Sequence, residues 1–229
     1  VLFRSGRWTS PEAFFEFSSF AVPPTIFRCD AAEAKTSVWA RTDLPIDPAS
    51  FELTQERYVS RDGSKIPIFL LRKKGARGPA PTLMTGYGGF NISLTPKFSA
   101  SAVVWVEQGG LFALPNLRGG GEFGEAWHQA GMREKKQNVF DDFLAAARWL
   151  FETGRTAPGR LAVSGRSNGG LLVGAAVTQA PELFRAAVCG YPLLDMIRYH
   201  QFLVARFWVP EYGSSENPDQ FPYLLAYSP

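Results

Sequence analysis

The chain has 229 residues, of which 45% are hydrophobic and 14% aromatic, so it can bury a substantial core. Its formal net charge of +3 comes from scattered basic residues, which gives no indication of a nucleic-acid partner. No run of about 18 apolar residues occurs, so we expect no membrane-spanning helix. The two cysteines, Cys29 and Cys189, lie in apolar segments and are expected to be buried thiols. No Cys/His cluster has metal-ligand spacing, so we expect no metal and no cofactor.

The N-terminal part of the chain has the pattern of β structure. Segments rich in aromatic and β-branched residues, separated by tight turns, predict strands at residues 13–20, 25–30 and 36–41. Strands this few cannot bury both faces of a sheet, so we expect them to belong to a larger assembly such as a β-propeller blade. The proline-rich break around residues 44–48 predicts a domain boundary, with one domain at 1–47 and a second at 48–229.

The second domain begins with a hairpin and continues with alternating strands and helices. An Asp-Gly turn between residues 51–60 and 65–72 predicts the hairpin. Short apolar segments then predict buried strands at 82–85, 111–114, 161–164 and 186–189, and longer periodic segments predict helices at 98–108, 138–153 and 171–177. This alternation is typical of an α/β fold with a mostly parallel sheet, right-handed crossovers and helices on both faces.

A glycine-rich turn, Gly165-Arg166-Ser167-Asn168-Gly169, joins a predicted strand to a predicted helix. This is the context of a nucleophile elbow, in which a serine lies at the tip of a sharp strand-to-helix turn. The flanking glycines are needed because the turn leaves no room for side chains, and the helix N-terminus directs free amides towards the reaction centre. The pattern predicts an α/β-hydrolase with Ser167 as its nucleophile, and leaves esterase, lipase, thioesterase and peptidase activities open.

Four other motifs narrow this choice. They are the segments Gly86–Ser93, Asn116–Gly124, Lys136–Phe143 and Trp208–Gly213. In this order and spacing, and together with the elbow, they resemble the prolyl oligopeptidase family of serine peptidases. The resemblance is strong from about residue 50 onwards and looser before it, where the chain resembles the last part of the family's β-propeller. It implies a partial α/β-hydrolase domain preceded by the last propeller strands.

The resemblance implies a mechanism for the elbow serine. Ser167 would attack the carbonyl of the scissile peptide bond and form an acyl-enzyme. The backbone amide of Asn168 and the hydroxyl of Tyr87 would donate hydrogen bonds to the oxyanion, and one such donor is worth roughly 3–4 kcal/mol of transition-state stabilisation. Arg118 and Glu122 lie in a glycine-rich loop, and we expect a structural ion-pair or loop-ordering role for them and not a catalytic one.

The same resemblance implies the substrate. Trp208 matches the family tryptophan that stacks on a proline ring, and Phe90 and Tyr212 match other walls of that pocket. Leu193 falls where the family has a small aliphatic residue, so we expect it to line the pocket and, with its extra bulk, to narrow it. A flat apolar slot of this kind suits proline, so the expected partners are short proline-containing peptides, cleaved on the carboxyl side of proline. The resemblance also implies a monomer at full length and a cytoplasmic location, with a periplasmic one open because an N-terminal segment could carry a signal.

The base that the serine needs is not evident in this chain. It has two histidines, His128 and His200, and neither matches the catalytic histidine of the family. The resemblance implies that this histidine, the catalytic acid and a substrate-binding arginine all fall beyond Pro229. Asp195 matches a structural residue. We therefore expect a fragment that is inactive by itself, and whose open sheet edge after Ala187 favours aggregation.

Other interpretations remain. An oligopeptidase B-like enzyme cleaves after basic residues and needs carboxylates in its pocket, whereas Trp208 and Phe90 favour an apolar one. A lipase or esterase gives no role to the β-rich segment. A natural truncation would be an inactive pseudoenzyme or a binding module.

Overall fold

The computed structural model describes residues 2–229, with side chains from residue 5 onwards. Its first sheet is antiparallel and has four strands in sequential order. They are β1 (Leu2–Gly6), β2 (Glu12–Phe17), β3 (Thr25–Asp30) and β4 (Lys35–Arg41). The last three are the predicted strands. Strand β1 was not predicted, because its short sequence does not alternate apolar and polar residues.

The second sheet has six strands in the order β10-β9-β7-β8-β6-β5. They are β5 (Phe51–Val59), β6 (Lys65–Lys73), β7 (Thr82–Thr85), β8 (Leu111–Pro115), β9 (Leu161–Arg166) and β10 (Ala186–Gly190). The predicted hairpin is the antiparallel pair β5–β6, and β6 also pairs antiparallel with β8. The other pairs are parallel, which confirms a mostly parallel sheet.

Helices cover both faces of this sheet. Successive side chains of a strand point to opposite faces, so apolar residues on both faces need a covering element. The helices are α1 (Ala100–Glu107), α2 (Glu125–Gln129), α3 (Gln137–Glu152), α4 (Asn168–Gln179), α5 (Val209–Tyr212) and α6 (Phe221–Tyr227). On one face, Ile68 and Leu70 of β6 pack in a core with α3 and α4. On the other face, Leu71 packs in a second core with α1. The apolar stripe that predicts α3 is the stripe that this helix buries.

The connection between β2 and β3 reaches the second sheet. Phe20 is 3% exposed, and its ring lies 5.6 Å from that of Phe69 and 5.9 Å from that of Phe112. The predicted boundary at 47/48 falls between β4 and β5, where Asp47 caps a 3₁₀ turn at Pro48–Ser50. Within the described residues, no helix is both long enough and apolar enough to cross a membrane.

Strand β10 is an edge of the second sheet, and its side chains are exposed. Val188 is 65% exposed. Cys189 on the same strand is an exposed free thiol, so the expectation that it is buried is wrong; Cys29 is free and half-buried. An apolar strand sequence predicts burial only where a neighbouring element covers the strand, and sequence periodicity does not report that neighbour.

A buried ion pair joins the loop after β8 to helix α3. The Arg118 guanidinium binds Asp142 with both Nε and Nη2, at 2.9 and 2.6 Å, and binds Asp62 with Nη1. Asp142 also accepts a hydrogen bond from Ser60 at 2.5 Å. Glu122 accepts hydrogen bonds from the backbone of Leu94 and from Asn116. Arg118 thus forms a structural ion pair, and Glu122 holds the loop by hydrogen bonds.

The buried pair gives a stability prediction. Asp142→Ala leaves Arg118 buried with the bidentate partner removed, and we expect it to lower the free energy of unfolding by about 3–5 kcal/mol. Arg61→Gln is the control, because Arg61 is 81% exposed and its pairing distance to Asp141 is 3.8 Å. The control should cost less than about 1 kcal/mol in urea denaturation. Similar costs for the two variants would contradict the prediction.

Candidate active site

The turn between β9 and α4 has the geometry of a nucleophile elbow. Ser167 has φ +57° and ψ −121°, a left-handed conformation that costs a non-glycine residue roughly 1–3 kcal/mol. A Cβ at Gly165 would lie 2.0 Å from the carbonyl oxygen of Gly169, and a Cβ at Gly169 would lie 2.7 Å from that of Gly86. The packing therefore requires glycine at both positions.

Ser167 is exposed at the N-terminal end of α4, and its side chain contacts the Tyr87 hydroxyl. Helix α4 begins at Asn168, so the amide of Asn168 belongs to the first turn, whose N–H groups have no partner within the helix. The Tyr87 hydroxyl interacts with the Ser167 side chain. Burial raises the pKa of Tyr87 above its usual value, and the contact with Ser167 opposes this rise only in part. Tyr87 is therefore protonated at neutral pH and able to donate.

The Asn168 side chain connects Tyr87 to Tyr212. Its Nδ2 donates to the backbone oxygen of Tyr87 at 2.5 Å, and its Oδ1 accepts from the Tyr212 hydroxyl at 2.8 Å. Asn168 is 1% exposed, so these bonds are shielded from water. The motif match predicts a role for the backbone amide of Asn168 only, and the structure adds that its side chain holds the Tyr87 loop.

Trp208 and Leu193 line one apolar cavity of about 400 Å³. The other lining residues are Pro192, Leu194, Asp195, Tyr199, Phe202, Leu203, Val204 and Ala205. Tyr212 and Phe90 are not among them. Tyr212 is 1% exposed and packs against Phe90, with the ring centroids 5.5 Å apart in an edge-to-face contact. Tyr212 therefore supports Phe90 and does not face this cavity.

Three ionisable side chains that sequence reasoning did not select lie beneath the Tyr87 loop. Glu211 accepts a hydrogen bond from the backbone N–H of Phe90 at 3.0 Å, and its Oε2 lies 2.8 Å from His128 Nε2. Lys136 is 1% exposed and donates to the backbone oxygen of Gly88 at 2.9 Å. Burial lowers the pKa of Lys136 to about 8, despite the opposing charge of Glu211. Lys136 and Glu211 each lie inside one of the family motifs, and this is the signal in the sequence that could have found them.

The remaining polar candidates are engaged elsewhere. His200 Nε2 pairs with Glu216 at 3.3 Å, and Asp195 pairs with Arg198. Among the described residues, neither His128 nor His200 is hydrogen-bonded to Ser167. Over the same part of the chain, no group of three or more His, Cys, Asp or Glu side chains could hold a metal ion.

Comparison with known proteins agrees with this geometry. A model of the prolyl oligopeptidase family matches residues 96–229. The chain belongs to this family. The resemblance drawn from the motifs is thus confirmed, as is the fold class of β-propeller strands followed by a partial α/β-hydrolase domain.

Individual relatives are similar over nearly the whole chain. A prolyl endopeptidase from Elizabethkingia miricola is 44% identical over 98% of the chain. A solved prolyl endopeptidase structure covers 98% of the chain with a TM-score of 0.93 at 49% identity. Prolyl oligopeptidase B from Galerina marginata, bound to a 25mer macrocyclization substrate, covers 97% with a TM-score of 0.92 at 40% identity. The chain spans only 32–33% of the length of these proteins.

The elbow gives a second stability prediction. Gly165→Ala places a methyl group against the backbone of α4, and we expect it to lower the free energy of unfolding by about 3 kcal/mol. Gly159→Ala is the control, since Gly159 has φ +77° but nothing within 4 Å of an added Cβ. It should cost about 1–2 kcal/mol, for backbone strain alone. Equal losses, measured by denaturant unfolding, would show that the close packing does not require glycine at position 165.

Proposed function

We propose that the protein carrying this chain is a serine peptidase that hydrolyses short peptides on the carboxyl side of proline. One observation carries the proposal: the exposed elbow serine contacts the Tyr87 hydroxyl and lies at the start of α4, where the Asn168 N–H belongs to the first turn. The names of the similar proteins support it, since curated relatives at 44%, 43% and 41% identity are prolyl endopeptidases.

In the proposed reaction, Ser167 Oγ attacks the carbonyl carbon of the proline residue and transfers its proton to a general base. The carbonyl oxygen becomes an oxyanion held by Tyr87 and Asn168. The peptide C–N bond then breaks, and the protonated base returns its proton to the leaving amine. Water, activated by the same base, hydrolyses the resulting ester and regenerates Ser167. Neither His128 nor His200 is assigned as the base, because in the described part of the chain neither is hydrogen-bonded to Ser167.

The apolar cavity beside Trp208 supports proline over a basic side chain. Proline is flat and apolar and has no amide hydrogen to satisfy, so it suits walls such as Leu193 and Trp208. The acidic residue among the described lining residues is Asp195, and its carboxylate is bound by Arg198 Nε at 2.6 Å. A lysine or arginine entering this cavity would lose water without gaining a free carboxylate, which argues against the oligopeptidase B-like alternative.

The test uses the protein expressed from its complete reading frame and two fluorogenic peptides, one ending in Gly-Pro and one ending in Gly-Arg. We expect kcat/KM for the proline peptide to exceed that for the arginine peptide by about 100-fold or more, because burying an unpaired charge is costly. Ser167→Ala should abolish turnover, and Ser164→Ala, a serine on β9, should retain it. Preference for the arginine peptide, or an active Ser167→Ala variant, would refute the proposal.

The 229-residue chain alone should be inactive. A serine without its base loses several orders of magnitude in rate, because the hydroxyl is a weak nucleophile while it keeps its proton. The measurement is turnover of the same Gly-Pro peptide by the purified chain, normalised to protein concentration. Turnover that Ser167→Ala removes would mean that the chain contains its own base.

A further inference from the structure

The loop that carries Tyr87 and Phe90 is conformationally strained. Gly88, Phe90 and Asn91 have φ of +63°, +57° and +56°. Two successive non-glycine residues in the left-handed region cost roughly 1–3 kcal/mol each, and such strain persists only where surrounding groups hold the backbone. The loop contains no helix or strand, so it must be held from outside.

Side chains from separate elements hold this loop at successive peptide groups. Asn168 of α4 binds the oxygen of Tyr87 at 2.5 Å, and Lys136, which precedes α3, binds the oxygen of Gly88 at 2.9 Å. Glu211 of α5 binds the N–H of Phe90 at 3.0 Å. Each bond is directional, so together they hold the backbone from which the Tyr87 side chain projects.

Glu211 is the centre of this arrangement. Its Oε1 lies 3.6 Å from Lys136 Nζ and accepts from Phe90, while its Oε2 contacts His128 Nε2 at 2.8 Å. The side chains of Glu211 and Lys136 are 5% and 1% exposed, and that of His128 is 14% exposed. Burying charged groups costs free energy that an apolar core would not, so the packing alone does not account for them. What they supply is a fixed acceptor for Phe90 and a fixed donor for Gly88.

We infer that Glu211, supported by Lys136 and His128, is a positioning residue that fixes the loop so that Tyr87 can donate to the oxyanion. This inference rests on the proposed function, since the position of Tyr87 affects the rate only if Ser167 forms a tetrahedral intermediate. Glu211 contacts no reacting atom and acts through Tyr87.

The test is a double-mutant cycle with Glu211→Gln and Tyr87→Phe in the protein from its complete reading frame, using the Gly-Pro peptide. Removing an oxyanion donor costs about 10²–10³ in kcat, and a displaced donor loses part of this. We expect Glu211→Gln to lower kcat by about 10–100-fold with KM within about 3-fold. In the Tyr87→Phe background it should lower kcat by less than about 3-fold, because the group it positions is gone.

A loss of similar size in both backgrounds, or no loss at all, would overturn the inference. Active-site titration normalises kcat, so that a smaller folded fraction does not imitate a positioning effect. Glu56→Gln is the matched control, because it removes a carboxylate bound by Arg155 at 2.7 and 2.6 Å outside the site, and kcat should not change. If Glu211→Gln shows no cooperative melt, the same cycle with Lys136→Met decides, because it removes the donor to Gly88.

Failure of the proposed function gives a different result. A wild-type protein that cleaves neither peptide contradicts the proposed function, and hydrogen exchange then tests the positioning role. Glu211→Gln should speed exchange of the Phe90 amide by about 10-fold or more, since a neutral amide accepts more weakly than a carboxylate. Unchanged exchange at Phe90 would then overturn the inference.

Discussion

The site depends on the close approach of three backbone segments: the end of β9, the first turn of α4 and the loop after β7. An added Cβ at Gly165 would lie 2.0 Å from the backbone of α4, and one at Gly169 would lie 2.7 Å from the backbone oxygen of Gly86. Because the segments touch through backbone, the position of Ser167 does not depend on flexible side chains. The same approach places Asn168 directly beneath Tyr87, where its buried amide can bind the loop.

The buried ionic groups share a function that packing cannot provide. Arg118 with Asp142, and Lys136 with Glu211, each connect a glycine-rich loop to an element of the scaffold. Apolar contacts hold such loops poorly, since glycine offers no side chain to pack, whereas a charged side chain can bind the exposed peptide groups directly. Burying these charges costs desolvation free energy, and their structural effect is to fix loops, which are otherwise the most mobile parts of a fold.

Local patterns in the sequence predict much of the fold. The hairpin at Asp62-Gly63, the stripe of α3 and the elbow at Ser167 each depend on neighbours in the chain, so their residues alone predict them. The Glu211 contacts join residues separated by 121 positions for Phe90 and 83 for His128, and no periodicity reports such pairs. The exposure of Cys189 and the burial of Tyr212 could not be predicted either, because each depends on whether an element distant in the sequence packs over the residue.

One short turn carries both a wall of the cavity and the acceptor that holds the oxyanion loop. Trp208 immediately precedes α5, and Glu211 and Tyr212 lie within it. A ligand that fits badly and displaces Trp208 would therefore also move the groups that hold Phe90 and Asn168. Under this arrangement a mismatched side chain would reduce turnover more than it weakens binding, so that selectivity would be exerted in the transition state.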